Sequence, residues 1–161
     1  MDSEPLINEP HEGEWIYVSA PLGHLNGTAH ALSKRIATTI YARGWTVVQP
    51  EEHARTQEGD GAREAARALE ALRSADACLF DVSSSSVGAE VATAVCAGRP
   101  VIALEHVDTP PPAIVAALLS DDPLPRVIRY TSVDGCIEQL SRTLEDPVWR
   151  AAVSLAAADV R

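Results

Sequence analysis

The chain has 161 residues, 46% of them apolar and 22% charged, with a formal net charge of −10. This length and composition are typical of one soluble globular domain with its own core. The negative charge disfavours nucleic-acid backbones and anionic membranes, which require basic surfaces. The three cysteines show no CxxC spacing and the acidic start lacks a targeting pattern, so we expect reduced, buried thiols in a cytoplasmic protein.

The predicted elements alternate between strand and helix after a polar arm, residues 1–14, that we expect to be flexible. Strands are predicted where short apolar runs end at proline, glycine or aspartate, and helices where apolar residues recur at helical spacing. Thr28 is the predicted N-cap of the first helix and Gly44 its terminator. The predicted strands are 15–19, 45–50, 76–82, 99–105 and 126–130, and the predicted helices are 27–44, 62–75, 87–98, 113–120, 132–146 and 147–161.

This alternation predicts one α/β domain over residues 15–161. We expect a doubly wound, five-stranded parallel sheet in the order 2-1-3-4-5, with helices on both faces. Ligands of such folds bind beyond the carboxyl ends of the strands, where the strand order switches. The loops after strands one, three and four (20–27, 83–88 and 106–112) are therefore expected to build the site.

The segment DVSSSSVGAEVATAV, residues 81–95, carries the most informative pattern. Serine and glycine at a helix N-terminus offer hydroxyl and N–H groups to an anion, although the same residues also fill ordinary turns. Glu90 follows Ser86 by four residues, whereas a capping box requires three. The helix after it is small and apolar on every side, so we expect it to be buried. A carboxylate at its start, within the predicted crevice, indicates function.

Two segments resemble the nucleoside 2-deoxyribosyltransferases and the related 2′-deoxynucleoside 5′-phosphate N-hydrolases. IYVSAPL, residues 16–22, is similar to the first strand and loop of this family. Residues 74–104 resemble its second signature, with an Ala-Asp pair, an apolar strand, an acidic residue, a Ser/Gly loop, Gly-x-Glu and a final Gly-Arg-Pro-Val. The family's fold agrees with the one predicted above.

The resemblance implies roles for individual residues. Glu90 falls on the catalytic glutamate, which attacks or stabilises the sugar C1′, and Tyr17 on the tyrosine that positions it. Asp81 falls on an acidic residue near the base or sugar. The loop that contacts the 5′-phosphate in the hydrolases corresponds to Ser84, Ser86 and Gly88.

The chain also departs from the family's pattern. Pro21 and Gly23 occupy the positions of a serine and an arginine that bind phosphate in the hydrolases, and His24, Arg55 or Arg63 could replace those contacts. His53 belongs to a Glu-His pair that matches the family only with a two-residue insertion. Ala116 stands where a neighbouring subunit of the hydrolases supplies a serine.

These residues fit cleavage of an N-glycosidic bond, because an oxocarbenium-like sugar requires a carboxylate beside C1′. The helix N-terminus favours negative charge at Glu90. A second acid or a substrate phosphate must help the base leave, and Asp81, aided by His53, is the candidate acid. We expect hydrolysis or transfer on a nucleoside or its 5′-monophosphate, without a cofactor. No metal is expected, since no further ligands complete a set around His24 and His30.

Two other functions remain open. The protein could be a catalytically silent nucleotide- or nucleoside-binding module, which the missing first-loop arginine favours, or a glycohydrolase that cleaves NAD. A base-release assay separates these functions. We also expect a homodimer, because the family completes its sites across a subunit interface and the helix at 87–98 is too apolar to face water.

Overall fold

The computed structural model describes residues 14–19, 26–49, 61–83, 87–120 and 125–159. Its strands are β1 (Trp15–Ser19), β2 (Thr46–Val48), β3 (Ala77–Asp81), β4 (Val101–His106) and β5 (Arg126–Tyr130). Its helices are α1 (Asn26–Ala42), α2 (Gly61–Ser74), α3 (Gly88–Cys96), α4 (Ala113–Ser120), α5 (Val133–Glu145) and α6 (Pro147–Ala158). Within the described ranges, none of the helices is both long and apolar enough to span a bilayer.

The five strands form one parallel sheet in the order β2-β1-β3-β4-β5. This confirms the predicted topology, in which the order switches beside β1 and leaves a crevice beyond the carboxyl ends of β1 and β3. The predicted arm lies outside the described residues apart from Glu14, whose carbonyl accepts a hydrogen bond from the N–H of Thr46.

Helices cover both faces of the sheet, so successive strand residues enter two separate cores. The first core, under α1, α5 and α6, includes Ile16, Val18, Leu79, Ile102, Leu104, Ile36, Ile40, Leu140, Leu144 and Trp149. The second core, under α2, α3 and α4, includes Tyr17, Cys78, Phe80, Val101, Ala103, Leu72, Val87, Val91, Val115 and Leu119. Burial on both faces is the reason that these strands read as continuous apolar runs.

The first helix differs from its prediction at one end. It begins at Asn26, so Thr28 lies inside the helix and is not its N-cap. The predicted end is confirmed. Gly44 follows α1 with a φ of 83°, a left-handed conformation that glycine adopts without a steric penalty, and its N–H bonds to the carbonyl of Tyr41.

The third helix is only half-buried, which corrects the expectation that it is enclosed on every side. Val91 and Ala94 pack against the sheet, whereas Ala89 and Cys96 are exposed. A helix laid on a sheet buries only one stripe, whatever the composition of its outer face. Of the three cysteines, Cys78 and Cys136 are buried as predicted, and Cys96 is not.

Arg99 joins the two helix layers at the amino end of the sheet. The residue is 7% exposed. Its Nε donates to the carbonyl of Ala97 at 3.1 Å, and its Nη1 donates to those of Ala75 at 3.4 Å and Ala156 at 3.3 Å. Ala97 directly follows α3, Ala75 directly follows α2, and Ala156 lies on α6. One guanidinium therefore binds acceptors from elements on both sides of the sheet.

Candidate active site

Glu90 lies at the start of α3 and is held there by two hydroxyl groups of β1. The hydroxyl of Tyr17 donates to Oε1 at 2.8 Å, and that of Ser19 donates to Oε2 at 2.8 Å. Residues two apart on a strand point to the same face, so both hydroxyls meet the helix that covers this face. Tyr17 is fully buried and Ser19 is 7% exposed, which fixes both donors by packing.

The N-terminus of α3 favours the charge of this carboxylate. Glu90 is in the first turn, Val87 occupies the N-cap position, and no side chain caps the helix among the described residues. The first backbone N–H groups of a helix have no partner within it and carry partial positive charge. The fold therefore places Glu90 where an ionised carboxylate is stabilised, at the carboxyl edge of the sheet.

Gly88 is the first residue of α3. A Cβ added there would meet Cγ2 of Val115 at 3.7 Å, an ordinary contact. The protein's own packing thus does not demand glycine at this position. Its predicted role, allowing close approach of a ligand, stays a prediction.

Asp81 ends β3 and is 9% exposed. Its Oδ1 accepts hydrogen bonds from the backbone N–H of Ser83, at 3.0 Å, and from the Ser83 hydroxyl. Strand alternation directs its side chain to the face of α1 and α5, opposite to that of Tyr17. The structure thus joins Tyr17 to Glu90 and places Asp81 at the same sheet edge without a hydrogen bond to either, as far as the described residues show.

The remaining predicted site residues lie outside the described part of the chain. They are Pro21, Gly23, His24, His53, Ser84 and Ser86. Their roles, and the convergence of Glu90, Tyr17 and Asp81 on one crevice, remain predictions. The described ranges contain no group of three or more His, Cys, Asp or Glu side chains that could hold a metal ion.

Ser19 is a site residue that the sequence analysis missed. The signal for it was present, because Ser19 follows Tyr17 by two residues at the end of a predicted strand and therefore shares its face. The sequence did not reveal where along β1 the first turn of α3 packs. The position of a helix along a sheet depends on packing, which no motif encodes.

Comparisons with known proteins establish the fold. No protein-family model matches the chain, and no curated protein matches its sequence. Among solved structures, the CMP N-glycosidase BcmB of Clostridium botulinum is similar over 79% of this chain and 98% of its own, with 14% identity and a TM-score of 0.58. A 2-deoxyribosyltransferase from Bacillus psychrosaccharolyticus is similar over 74% and 88%, with 16% identity and a TM-score of 0.55.

A third structure, the glycotransferase of kitacinnamycin, covers all of this chain with 43% of its own. The identity is 14% and the TM-score is 0.52. Because the sequence identities are so low, all three comparisons show a similar fold and nothing more.

Proposed function

We propose that this protein is an enzyme that breaks the N-glycosidic bond of a nucleoside or nucleoside 5′-monophosphate and passes the sugar to water or to a second base. The proposal rests mainly on the two hydrogen bonds that the hydroxyls of Tyr17 and Ser19 donate to the carboxylate of Glu90. The fold is shared with a CMP N-glycosidase and a 2-deoxyribosyltransferase, which supports this substrate class. The resemblance of residues 16–22 and 74–104 to that family supports the role of the glutamate.

The geometry suits a nucleophile or an electrostatic stabiliser. An ionised carboxylate has about four acceptor sites, so one hydrogen bond on each oxygen leaves free lone pairs for C1′. As the C1′–N bond breaks, its electrons pass to the base and positive charge develops at the sugar. Glu90 then either bonds to C1′ or stabilises that charge, and water or a second base completes the exchange. Asp81 and His53 are the candidates to assist the departing base.

Replacing Tyr17 by phenylalanine, or Ser19 by alanine, is expected to lower kcat about ten- to a hundredfold with little change in KM. Each variant removes one hydrogen bond to a charged group, worth about 1.5–3 kcal/mol. Both hydroxyls act on Glu90 rather than on the substrate, which is why the expected loss is in kcat. Steady-state kinetics measure the split. Tyr41→Phe is the matched control, because Tyr41 is 57% exposed on α1. A rise in KM with unchanged kcat in the Tyr17 or Ser19 variant would contradict the positioning role.

A base-release assay tests the proposed function. The protein is incubated with a panel of nucleosides, their 5′-monophosphates and NAD, and free base is separated by chromatography. Release from a nucleoside or monophosphate supports the proposal, and the ratio of kcat/KM between the two reports whether a phosphate is used. A thermal shift without release would identify a binding module, and release of nicotinamide alone would identify an NAD-cleaving enzyme.

We further propose that the protein is a homodimer that pairs through α3 and α4. Apart from Glu90, these helices contain no charged residue. Their outer surface includes Ile114, which is 69% exposed, together with Ala113, Ala116 and Ala117. A surface helix without charges on its outer face is suited to packing against a second copy of the same helix.

The Ile114→Glu variant is expected to be a monomer of 17.1 kDa, whereas the unchanged protein is expected to have twice that mass. Burying a carboxylate at an apolar interface leaves it without a partner and opposes association. Light scattering coupled to gel filtration measures both masses. Leu155→Glu is the matched control, since Leu155 is 72% exposed on α6 in the other helix layer. A monomer before any substitution would contradict the proposal.

A further inference from the structure

A second group of polar side chains lies beyond the carboxyl ends of β3, β4 and β5. Asp81 stands opposite Leu104, and His106 stands opposite Tyr130 in the sheet register. Because His106 follows Leu104 by two residues, alternation places Asp81, His106 and Tyr130 on the same face. The mechanism above uses only Asp81.

The imidazole of His106 is fixed in one orientation. Its Nδ1 accepts a hydrogen bond from the backbone N–H of Asp108 at 3.2 Å, and its ring meets that of Tyr130 edge-on, with centroids 5.2 Å apart. A ring nitrogen that accepts carries no proton, so the neutral imidazole has its hydrogen on Nε2. The side chain is 34% exposed, and Nε2 makes no hydrogen bond with any described residue.

Tyr130 and Asp81 add a donor and an acceptor to this edge. Burial, together with the negative charge of Asp81, raises the pKa of Tyr130 to about 12, so its hydroxyl keeps its proton at neutral pH. Tyr130 is 8% exposed, and its hydroxyl has no partner among the residues that the structure describes. Asp81 uses Oδ1 for Ser83 and leaves Oδ2 without a described partner.

The charged groups around the imidazole are already engaged or distant. Asp108 places Oδ2 4.0 Å from Nδ1, beyond hydrogen-bond length. Glu105 forms an ion pair with Arg129 on the next strand, at 3.3 Å. Within the described residues, Nε2–H of His106 is therefore a donor with a set direction and no assigned acceptor.

We propose that His106 recognises the leaving base, through a hydrogen bond from Nε2–H to a ring nitrogen or carbonyl oxygen on the base edge. This inference rests on the proposed function. Glu90 is held against β1, β3 lies next to it, and β4 lies two strand spacings, about 10 Å, from β1. The side chains of Asp81 and His106 point to the face of the sheet opposite to Tyr17, so a substrate with its C1′ at Glu90 reaches His106 by laying its base across the carboxyl edge of the sheet beside Asp81.

No proton is transferred in this role. As the C1′–N bond breaks, the base receives its electron pair and the acceptor atom becomes more negative, so the hydrogen bond from Nε2 strengthens. His106 thereby favours bases that present an acceptor at this edge over analogues that lack one. It also contributes to the rate, because the interaction is stronger in the transition state than in the bound substrate.

Two substitutions at His106 test the inference. The His106→Phe variant keeps a flat ring against Tyr130 and removes the donor, while His106→Gln places an amide N–H near the position of Nε2. With the best substrate of the panel, we expect kcat/KM to fall ten- to a hundredfold in His106→Phe and to recover to within about threefold of the wild type in His106→Gln. With a deaza analogue that lacks the acceptor atom, the wild type and His106→Phe are expected to be equal.

The outcomes separate this inference from the proposed function. Equal kcat/KM for the wild type and His106→Phe on the best substrate would overturn the inference and leave the function intact. If the wild type releases no base, the proposed function fails, and calorimetric titration with the same nucleosides then decides the role of His106. Binding at least tenfold weaker in His106→Phe would support base recognition, and any smaller difference would overturn it. Thermal melting of both variants verifies that they fold.

Discussion

Replacing Glu90 by glutamine is expected to slow base release by roughly a thousandfold or more, equivalent to about 4 kcal/mol of transition-state stabilisation. The amide keeps the shape of the side chain but has no negative charge to offer the developing positive charge at C1′. It also presents an NH₂ group to one of the two hydroxyls that now donate to a carboxylate oxygen, so the hold of Tyr17 and Ser19 is partly lost.

The matched control is Glu138→Gln, the same chemical change on the exposed side of α5. Glu138 pairs with Arg142 one helical turn away and lies in the helix layer that Glu90 does not contact. Base release by Glu138→Gln is expected to equal that of the wild type, as measured by chromatography at saturating and limiting substrate. Unchanged release by Glu90→Gln would rule out the proposed mechanism.

Replacing Arg99 by alanine is expected to lower the free energy of unfolding by about 3 kcal/mol. The guanidinium donates to one buried carbonyl group, that of Ala75, and to two partly buried ones, and alanine removes all three hydrogen bonds. Because these carbonyls belong to elements on both sides of the sheet, the loss weakens the attachment of α6 as well as the ends of α2 and α3.

Chemical denaturation followed by circular dichroism measures this loss. Arg142→Ala is the control, since Arg142 is exposed and makes an ion pair within one helix that is worth only about 0.5 kcal/mol. Arg99→Lys keeps the charge but cannot reach several acceptors in one plane, and an intermediate stability is expected for it. If Arg99→Ala proved as stable as Arg142→Ala, the role of Arg99 in joining the two helix layers would be contradicted.

The fold could be predicted because its signals are local. Each central strand is apolar on both faces, and Gly44 ends α1 in a backbone conformation that other residues avoid. The helix ends were less certain, as the start of α1 at Asn26 shows. Hydrogen bonding in the first turn can be satisfied in several registers, so a Thr at a suitable position is not sufficient evidence of a cap.

The site could be predicted only where a motif records it. The pair of Tyr17 and Glu90 followed from a family resemblance, whereas Ser19 required knowledge of where α3 sits on the sheet. His106 has no motif at all. Its proposed role rests on the neighbouring strand, which supplies Tyr130, and on the turn that directs the N–H of Asp108 at its ring. The half-buried state of α3 could not be predicted from its composition either, because alanine and valine fit both a core and an exposed face.

Both groups that hold Glu90 belong to the sheet rather than to the loops at its edge. The carboxylate, Tyr17 and Ser19 are anchored by β1 and the first turn of α3, elements that pack into the second core. The segments that connect β1 to α1 and β3 to α3 can therefore change in sequence or length while the charged group stays in place. In an evolving or engineered lineage, those connections can be exchanged without rebuilding the group that we propose to act on the sugar.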